Sequence, residues 1–184
     1  MNQGKQQLRI IAGLYRGRRW LFPDAPGLRP TTDRIRETLF NWLQGDIQNA
    51  RCLDVFTGSG ALGLEAASRG AGDVILVDNN PVVISGLQAV IKQWQAVNIK
   101  TVCADALVYL GEKHAPFDIV FLDPPFHQDT LGHCLNALLT NDCIHPQSLL
   151  YIESSVKSFV LPEGLDCLRH KTAGQVSYGL YQLC

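Results

Sequence analysis

The segment from residue 51 to residue 78 constrains the fold of this chain more than any other. A short apolar run at residues 51–56 leads into residues 58–63, which match the pattern G-x-G-x-x-G, and a second apolar run ends in Asp78. Glycines at this spacing allow a tight turn and close contact between a strand and the following helix. The segment therefore predicts a strand–turn–helix–strand unit of an α/β fold.

The alternation of strands and helices continues along the chain. Five strands are predicted at residues 51–56, 73–78, 99–105, 117–123 and 149–153, with helices at 33–43 and 81–97 and a helix after the glycine turn. This alternation is typical of a doubly wound, mostly parallel sheet. Residues 165–171 and 176–183 predict two further strands in an antiparallel hairpin at the sheet edge, which makes seven strands.

The N-terminal region has a different pattern. Residues 8–13 and 18–22 are apolar runs on either side of a turn at 14–17, so we predict a small β-hairpin. A proline-rich loop follows at residues 23–30, and Thr31 or Thr32 can cap the helix that begins near Asp33. We therefore divide the chain into a hairpin extension, residues 1–30, and a main domain, residues 31–184.

Charge is distributed unevenly although the net charge is only −1. Residues 1–36 carry eight basic and two acidic side chains, and the rest of the chain carries eight basic and fifteen acidic ones. A concentrated basic region is compatible with nucleic-acid binding, although a charge cluster is more often a solvated surface. The candidates for contact with a nucleic acid in this region are Arg9, Arg16, Arg18, Arg19 and Arg34.

Acidic residues stand at the ends of four predicted strands: Asp54, Asp78, Asp105 and Asp123. Open α/β sheets bind ligands outside these carboxyl ends. Asp54 would place an anion beside a pyrophosphate at the turn, which disfavours a dinucleotide, the main competing ligand. S-adenosylmethionine fits better because its ammonium and sulfonium groups are cationic. Asp78 suits the ribose hydroxyls, and Asp105 could accept from the adenine amine.

The turn Asp123-Pro124-Pro125-Phe126 ends the fourth strand of the predicted sheet. Two prolines restrict the backbone, so the Asp123 carboxylate and the Pro124 carbonyl form a rigid pair of hydrogen-bond acceptors. Such a pair can hold an exocyclic amine of a nucleic-acid base while its lone pair attacks a methyl group. Phe126 offers an aromatic face for stacking a base that has left its helix. We interpret this turn as the catalytic centre.

Cysteine usage and hydropathy exclude several other classes of protein. The six cysteines contain no Cys-x-x-Cys pair, and no apolar run is long enough to span a bilayer. The N-terminus lacks the layout of a signal peptide. We expect reduced thiols, no metal, no membrane association and a monomeric cytoplasmic protein.

Residues 54–65 resemble motif I of class I methyltransferases, and residues 123–126 resemble motif IV of the amino-methyltransferases. More specific segments are residues 9–13, 16–18, 28–43 and 174–178. Together they are similar to the RsmD family, the bacterial 16S rRNA (guanine(966)-N2)-methyltransferases. Two departures from the usual motifs are Thr57, where Ala is expected, and Asp78, where Glu is common.

The resemblance implies a class I, Rossmann-like fold and S-adenosylmethionine-dependent methylation of one guanine N2 in 16S ribosomal RNA or an assembling small subunit. It also implies that the N-terminal hairpin contacts RNA. The implied cofactor-binding residues are Asp54, Phe56, Gly58, Ser59, Gly60, Asp78, Asn79, Asp105, Ala106 and Asp123. Asp123, Pro124 and Phe126 would be catalytic, and Pro125 and Phe126 would contact the target base. Arg29, Thr32, Arg34 and Arg36 could contact the cofactor carboxylate or RNA phosphate.

Three other functions share some of these features. An adenine-N6 DNA methyltransferase would use the same glycine turn and the same Asp-Pro-Pro-Phe turn. A noncatalytic RNA-binding assembly factor could retain the fold, but the intact motifs disfavour it. An NAD-dependent oxidoreductase would share only the glycine pattern, and Asp54 disfavours it.

Overall fold

A computed structural model of the chain describes residues 6–22, 31–124, 130–155 and 164–184. The strands in these ranges are β1 (Gln6–Arg9), β2 (Arg19–Phe22), β3 (Arg51–Asp54), β4 (Asp73–Asp78), β5 (Ile99–Cys103), β6 (Phe117–Leu122), β7 (Ile144–Ser155), β8 (Leu165–Ala173) and β9 (Val176–Leu183). The helices are α1 (Asp33–Trp42), α2 (Ala61–Ser68), α3 (Pro81–Trp94), α4 (Ala106–Leu110) and α5 (Thr130–Thr140). No helix in these ranges is long and apolar enough to cross a membrane.

The main sheet has the strand order β5-β4-β3-β6-β7-β9-β8 within the described ranges. The five strands from β5 to β7 pair in parallel, whereas β9 pairs antiparallel with both β7 and β8. This confirms the predicted seven-stranded, mostly parallel sheet with an antiparallel C-terminal hairpin. The strand order reverses direction at β3, between β4 and β6, which is where sheets of this type bind ligands.

Most predicted elements occur with boundaries that differ by a few residues. The strand predicted at 149–153 is longer in the structure, because β7 begins at Ile144 and the β6–β7 register shifts near Phe117. Helix α3 ends earlier than predicted because Gln95 adopts a left-handed conformation with φ of 55°. Helices α4 and α5 were not predicted, and the loop at residues 23–30 lies outside the described residues.

Apolar side chains form one cluster on each face of the main sheet. In the central parallel strands, successive residues alternate between the two clusters: Cys52 belongs to one and Leu53 to the other. The neighbouring strand follows the same alternation in register with β3, since Ile119 lies beside Cys52 and Val120 beside Leu53. Residues in register on adjacent parallel strands therefore share a face of the sheet.

The N-terminal hairpin β1–β2 packs on the main domain. Its inward-facing Leu8 and Trp20 are buried in the same apolar cluster as α1, α2 and α3. The turn of the hairpin is fixed to Ser68 at the end of α2, whose hydroxyl accepts from the backbone N–H of Tyr15 at 2.9 Å. Gly13 touches the same helix end so closely that a Cβ there would lie 1.8 Å from the Ser68 carbonyl oxygen. Residues 6–22 thus share the core of the fold.

A fully buried ion pair completes this attachment. Glu65 of α2 is 0% exposed, and its carboxylate oxygens accept from the backbone N–H groups of Ile11 and Ala12 at 2.9 and 3.0 Å. Arg36 of α1 is also 0% exposed, and its Nη1 lies 3.5 Å from Glu65 Oε2. Arg69 donates to the other carboxylate oxygen at 2.8 Å. One carboxylate therefore joins the hairpin to two helices.

Replacement of Glu65 by Gln should destabilise the protein by about 3 kcal/mol, because it leaves the buried Arg36 guanidinium with only the exposed Asp33 carboxylate, 2.6 Å away, as a counter-charge. Amide hydrogen exchange at Ile11 and Ala12 should accelerate more than exchange in β3, since these amides lose a charged acceptor. Urea denaturation and exchange mass spectrometry measure the two effects. The control is Glu37→Gln, which neutralises an exposed acid of α1. Equal stability of the two variants would contradict the assigned role of Glu65.

Candidate active site

The acidic residues predicted at the strand ends are collected at the carboxyl edge of the parallel strands. Asp54 ends β3, Asp78 ends β4, Asp105 follows β5 and Asp123 follows β6. Because β3 lies between β4 and β6, Asp54 occupies the middle of this edge. The arrangement surrounds the glycine turn that connects β3 to α2.

Asp54 fixes the glycine turn from beneath. Its Oδ2 accepts from the Thr57 hydroxyl at 3.1 Å and from the Gly63 backbone N–H at 3.0 Å. Thr57, the residue that departs from the usual motif, thus supplies a hydrogen bond that Ala could not. A Cβ at Gly63 would lie 2.1 Å from Leu76 Cδ2 of β4, so a larger residue would displace this buried side chain. The helix consequently packs directly on the sheet below the turn.

Burial raises the pKa of the Asp54 carboxyl group. Its side chain is almost inaccessible, with 2% of the residue exposed, and burial raises its pKa to about 7 despite the hydrogen bonds from Gly63 and Thr57. The Asp78 carboxylate contributes further to this increase. Asp54 therefore lies inside the protein, below the surface that a ligand at the turn would contact.

Asp78 and Asn79 follow β4 beside the turn. Asp78 Oδ2 accepts from the backbone N–H of Gly58 at 3.0 Å, and its Oδ1 accepts from that of Asn80 at 2.8 Å. Gly58 and Gly60 both have positive φ angles, 48° and 78°, and Ser59 between them is buried. The short Asp78 side chain thus sits directly against the glycine turn, and Asn79 is exposed beside it.

Asp105 and Ala106 begin the short helix α4. Asp105 Oδ1 accepts from the backbone N–H groups of Leu107 and Val108 at 2.8 and 3.3 Å, so Asp105 is the helix N-cap. Its Oδ2 takes no part in this cap, and the residue is exposed at the same edge as Asp78. Ala106 is buried, whereas Phe56 is half-buried and packs against the second apolar cluster.

Asp123 and Pro124 lie next to this cofactor-facing edge. Burial raises the pKa of the Asp123 carboxyl well above its usual range, the charges of Glu153 and Asp54 raise it further, and a hydrogen bond from the Thr31 side chain opposes the increase. Pro124 is buried. Pro125 and Phe126, the other two residues of the predicted catalytic turn, lie outside the described residues.

Glu153 is a buried acid that our sequence analysis did not select. It follows Ile152 on β7, which pairs with Leu122 at the end of β6, so Glu153 lies beside Asp123, the residue that follows β6. Only 6% of Glu153 is exposed, and its Oε2 accepts from the Tyr151 hydroxyl at 2.7 Å. An acid at the end of the strand next to Asp123 was the sequence signal that could have revealed it.

The residues present suit a cationic cofactor. Asp54, Asp123 and Glu153 are acids on three neighbouring strands, and burial raises the pKa of each one. In the described part of the chain, no positive side chain contributes to any of these three shifts. Such an uncompensated acidic region favours a ligand with positive charge over a pyrophosphate. Within the described ranges, no group of three or more His, Cys, Asp or Glu side chains is placed to bind a metal.

All five candidate RNA-contacting arginines are exposed, in different settings. Arg16 lies at the hairpin turn, Arg19 extends from β2, and Arg9 lies 3.8 Å from Asp33 in an exposed ion pair. Arg34 is exposed on α1. These positions form the basic outer surface of the hairpin and of the first turn of α1.

Two basic residues have structural contacts that the sequence did not reveal. The Arg18 guanidinium lies 5.1 Å from the ring of Tyr15 and 5.8 Å from that of Trp94, and it donates to the Trp94 carbonyl at 3.3 Å. It therefore attaches the hairpin to α3. Arg36, named above as a possible contact of the cofactor carboxylate or RNA phosphate, is fully buried between Glu65 and Asp33, and it donates to Asp33 Oδ1 at 2.6 Å. Thr32 caps α1 through its hydroxyl, at 3.4 Å from the Ile35 N–H.

The sheet order, the glycine turn and the acidic strand ends define a class I, S-adenosylmethionine-dependent methyltransferase fold. Solved structures agree with this class. A structure described as a putative methyltransferase yhhF from Escherichia coli has a TM-score of 0.90 and 43% identity, and it covers 97% of this chain and 98% of its own. A Thermus thermophilus 16S rRNA N2 G1207 methyltransferase, at 21% identity and a TM-score of 0.70, shares the fold over 98% of this chain and 50% of its own.

The comparison with protein families identifies the particular family. The family model described as "Conserved hypothetical protein 95" matches residues 8–182. Ribosomal RNA small subunit methyltransferase D of Escherichia coli K12 is 45% identical over 183 residues, which is 98% of this chain and 92% of that protein. Its counterpart in Haemophilus influenzae is 40% identical over 97% of this chain and 95% of its own length. The chain therefore belongs to the ribosomal RNA small subunit methyltransferase D (RsmD) family, which confirms the resemblance stated from the sequence.

Replacement of Asp54 by Asn should change the pH dependence of stability. In the folded protein the Asp54 pKa is about 7, above its ordinary value of 3.8, so the folded state retains a proton that the unfolded chain releases between these values. Stability attributable to Asp54 is therefore lost as pH rises from about 4 to about 7. The asparagine side chain of the variant does not titrate, and its carbonyl oxygen can accept the same two hydrogen bonds.

We expect the Asp54→Asn variant to gain stability relative to the wild type between about pH 4.5 and about pH 8, as measured by urea denaturation at both values. Asp46→Asn, at an exposed acid, is the matched control. A stability difference that does not change with pH would show that Asp54 titrates normally.

Proposed function

We propose that this protein transfers a methyl group from S-adenosylmethionine to the exocyclic N2 amine of one guanine in 16S ribosomal RNA, the position-966 type of the RsmD family. The observation that carries this proposal is the position of Asp123. Its carboxyl group lies at the end of β6, beside the glycine turn and directly before Pro124, in a chain that belongs to the ribosomal RNA small subunit methyltransferase D family.

Asp123 and Pro124 would hold the amine. The N2 group has two hydrogens, and the Asp123 carboxylate and the Pro124 carbonyl oxygen are two acceptors for them. This position directs the nitrogen lone pair toward the electrophilic methyl group that the bound cofactor supplies. Orientation and electrostatic stabilisation account for much of the acceleration of such transfers. Phe126 would stack on the guanine after it leaves its neighbours.

The cofactor would lie over the glycine turn. Gly58, Ser59 and Gly60 allow close approach of the methionine part, whose positive charges match the acidic strand ends. Asp78 and Asn79 would contact the ribose, while Asp105 and Ala106 would border the adenine. The buried Asp54 would act through its charge and by holding the turn, because its side chain is inaccessible.

The basic hairpin would bind the RNA around the target guanine. Arg9, Arg16, Arg19 and Arg34 are exposed and can contact phosphates, and Arg18 would support the hairpin from its stack with Tyr15 and Trp94. The substrate would be 16S RNA or an assembling small subunit in the cytoplasm, bound by a monomer of this protein.

Replacement of Asp123 by Ala should reduce methyl transfer by about 100-fold or more, because the amine loses a charged acceptor in the transition state. The fall should appear in kcat, and S-adenosylmethionine binding, measured by calorimetry, should change much less. Asp123→Asn preserves the volume of the side chain, and Glu112→Gln is an exposed control. Normal turnover by either Asp123 variant would disprove the assigned role.

Replacement of Arg16 and Arg19 together by Ala should weaken RNA binding uniformly across sequences. The slope of log affinity against log salt should fall by about 1 for each phosphate that the double variant no longer neutralises. The matched control is Lys113→Ala, which removes an exposed charge from the loop between α4 and β6, whose flanking residues pack on the face of the sheet opposite the hairpin. Filter binding over a salt series gives both quantities. An unchanged slope in the double variant would place the RNA on another surface.

Nucleoside mapping tests the proposed reaction directly. Small-subunit RNA from cells that lack this protein should lose one N2-methylguanine, and addition of the purified protein with S-adenosylmethionine should restore it. Loss of N6-methyladenine from DNA instead would identify the alternative methyltransferase.

A further inference from the structure

Two carboxyl groups, the half-buried one of Asp123 and the buried one of Glu153, lie side by side at the candidate active site. Leu122 and Ile152 are in register on the parallel strands β6 and β7, so Asp123, which directly follows β6, lies beside Glu153 of β7. Neighbouring strands are about 4.8 Å apart, and residues in register point to the same face. This is the face of Phe121 and Tyr151, which pair two residues earlier and belong to the first apolar cluster.

The groups around this pair are acids and hydroxyls. Tyr151 donates to Glu153 at 2.7 Å, and Tyr178 of β9 lies opposite Glu153 in the sheet. Thr31 hydrogen bonds to Asp123, and the charge of Asp54 on β3 acts on it as well. Within the described residues, no cation contributes to the protonation of either acid.

These surroundings make the two acids unequal. The Tyr151 hydrogen bond stabilises the charged form of Glu153 and partly offsets the effect of burial on its pKa. Glu153 in turn is the first charge that raises the pKa of Asp123, after burial itself. Two adjacent buried carboxyl groups ionise one after the other, so the charge on Glu153 makes Asp123 the stronger base of the pair.

We propose that Glu153 is a positioning residue for the methyl transfer: its charge, stabilised by Tyr151, keeps the neighbouring Asp123 carboxylate basic enough to accept the proton that the target amine loses. The inference rests on the proposed function and adds a residue to it. The nitrogen lone pair would form the new N–C bond while the C–S bond of the sulfonium donor breaks and its electron pair stays on sulfur, which leaves as a thioether. One N–H bond then breaks: its electron pair stays on nitrogen and the proton moves to an Asp123 oxygen.

A more basic acceptor is advantageous in this step. A carboxylate of ordinary basicity accepts a proton weakly at neutral pH, whereas proton transfer is most effective when the acceptor pKa lies near the working pH. The same basicity strengthens the hydrogen bond that orients the amine. However, Asp123 must be ionised before it can accept a proton, so kcat should fall as the pH is lowered.

The test uses Glu153→Gln in the full-length protein. Gln can still accept the Tyr151 hydrogen bond but has no charge, so the acid limb of the kcat profile should move to lower pH by about one unit or more. At alkaline pH the variant should have a lower kcat than the wild type, with KM for RNA little changed. Glu112→Gln, at an exposed acid away from the site, should leave the profile in place.

A second variant and a second measurement distinguish an effect of the Glu153 charge from an effect of its packing. Tyr151→Phe retains Glu153 but favours its neutral form, so the acid limb should shift in the same direction and by less. Carbon-13 NMR of labelled aspartates, with the Asp123 signal assigned through Asp123→Asn, should show a lowered Asp123 titration in both variants, and a smaller lowering in Tyr151→Phe. This measurement needs neither cofactor nor RNA.

The outcomes distinguish the two proposals. If the wild type methylates small-subunit RNA while the Asp123 titration is identical in wild type and Glu153→Gln, the role assigned to Glu153 is wrong. A loss of activity without a shift of either pH profile or NMR titration would likewise reduce Glu153 to a packing residue. If the wild type transfers no methyl group, the proposed function fails, and the NMR titration still shows whether the two acids are linked.

Discussion

The attachment of the N-terminal hairpin depends on one buried carboxylate, that of Glu65. It accepts hydrogen bonds from two hairpin amides, faces the Arg36 guanidinium of α1 and binds Arg69 at the end of its own helix. An ion pair with both partners fully buried contributes little net stability compared with apolar packing, but removal of either charge is costly. The ion pair therefore fixes the relative positions of the hairpin, α1 and α2, because a different packing would leave a buried charge without its partner. The basic surface carried by the hairpin is thereby held at a defined position on the methyltransferase fold.

At the carboxyl ends of the parallel strands, by contrast, acidic side chains lie together, and no positive charge among the described residues contributes to their pKa shifts. The buried Asp54 and Glu153 and the half-buried Asp123 lie near one another, and burial is the largest cause of the increase in the pKa of each one. A fold selected for stability alone would place apolar side chains there, as it does two residues earlier at Phe121 and Tyr151. The concentration of unbalanced acid is destabilising, but it favours a cationic ligand and increases the basicity of Asp123. Stability and function therefore make different demands on the same strand ends.

The sequence predicted the features that depend on local pattern and could not predict those that depend on distant partners. Glycine spacing and strand periodicity identified the β3–α2 turn and the order of the main elements, because both follow from backbone geometry. Arg36 belongs to a basic region and was named as a possible contact of the cofactor carboxylate or RNA phosphate, yet its partner Glu65 lies 29 positions away in the chain. Glu153 was identified only as a strand end, because its importance comes from the pairing of β7 with β6. Helix α4 was missed since its five residues are too few to show a helical period.

Helix α1 connects the two charged regions. Thr31, just before its N-cap, hydrogen bonds to Asp123, and Arg36, in its second turn, reaches Glu65 beneath the hairpin. A short, stiff element thus joins the hairpin attachment to the residue proposed to hold the target amine, and these contacts lie within six residues of sequence. The same helix therefore fixes the hairpin relative to the main sheet and supports the Thr31 hydrogen bond to Asp123, so the basic surface and the proposed catalytic acid are positioned by one rigid element.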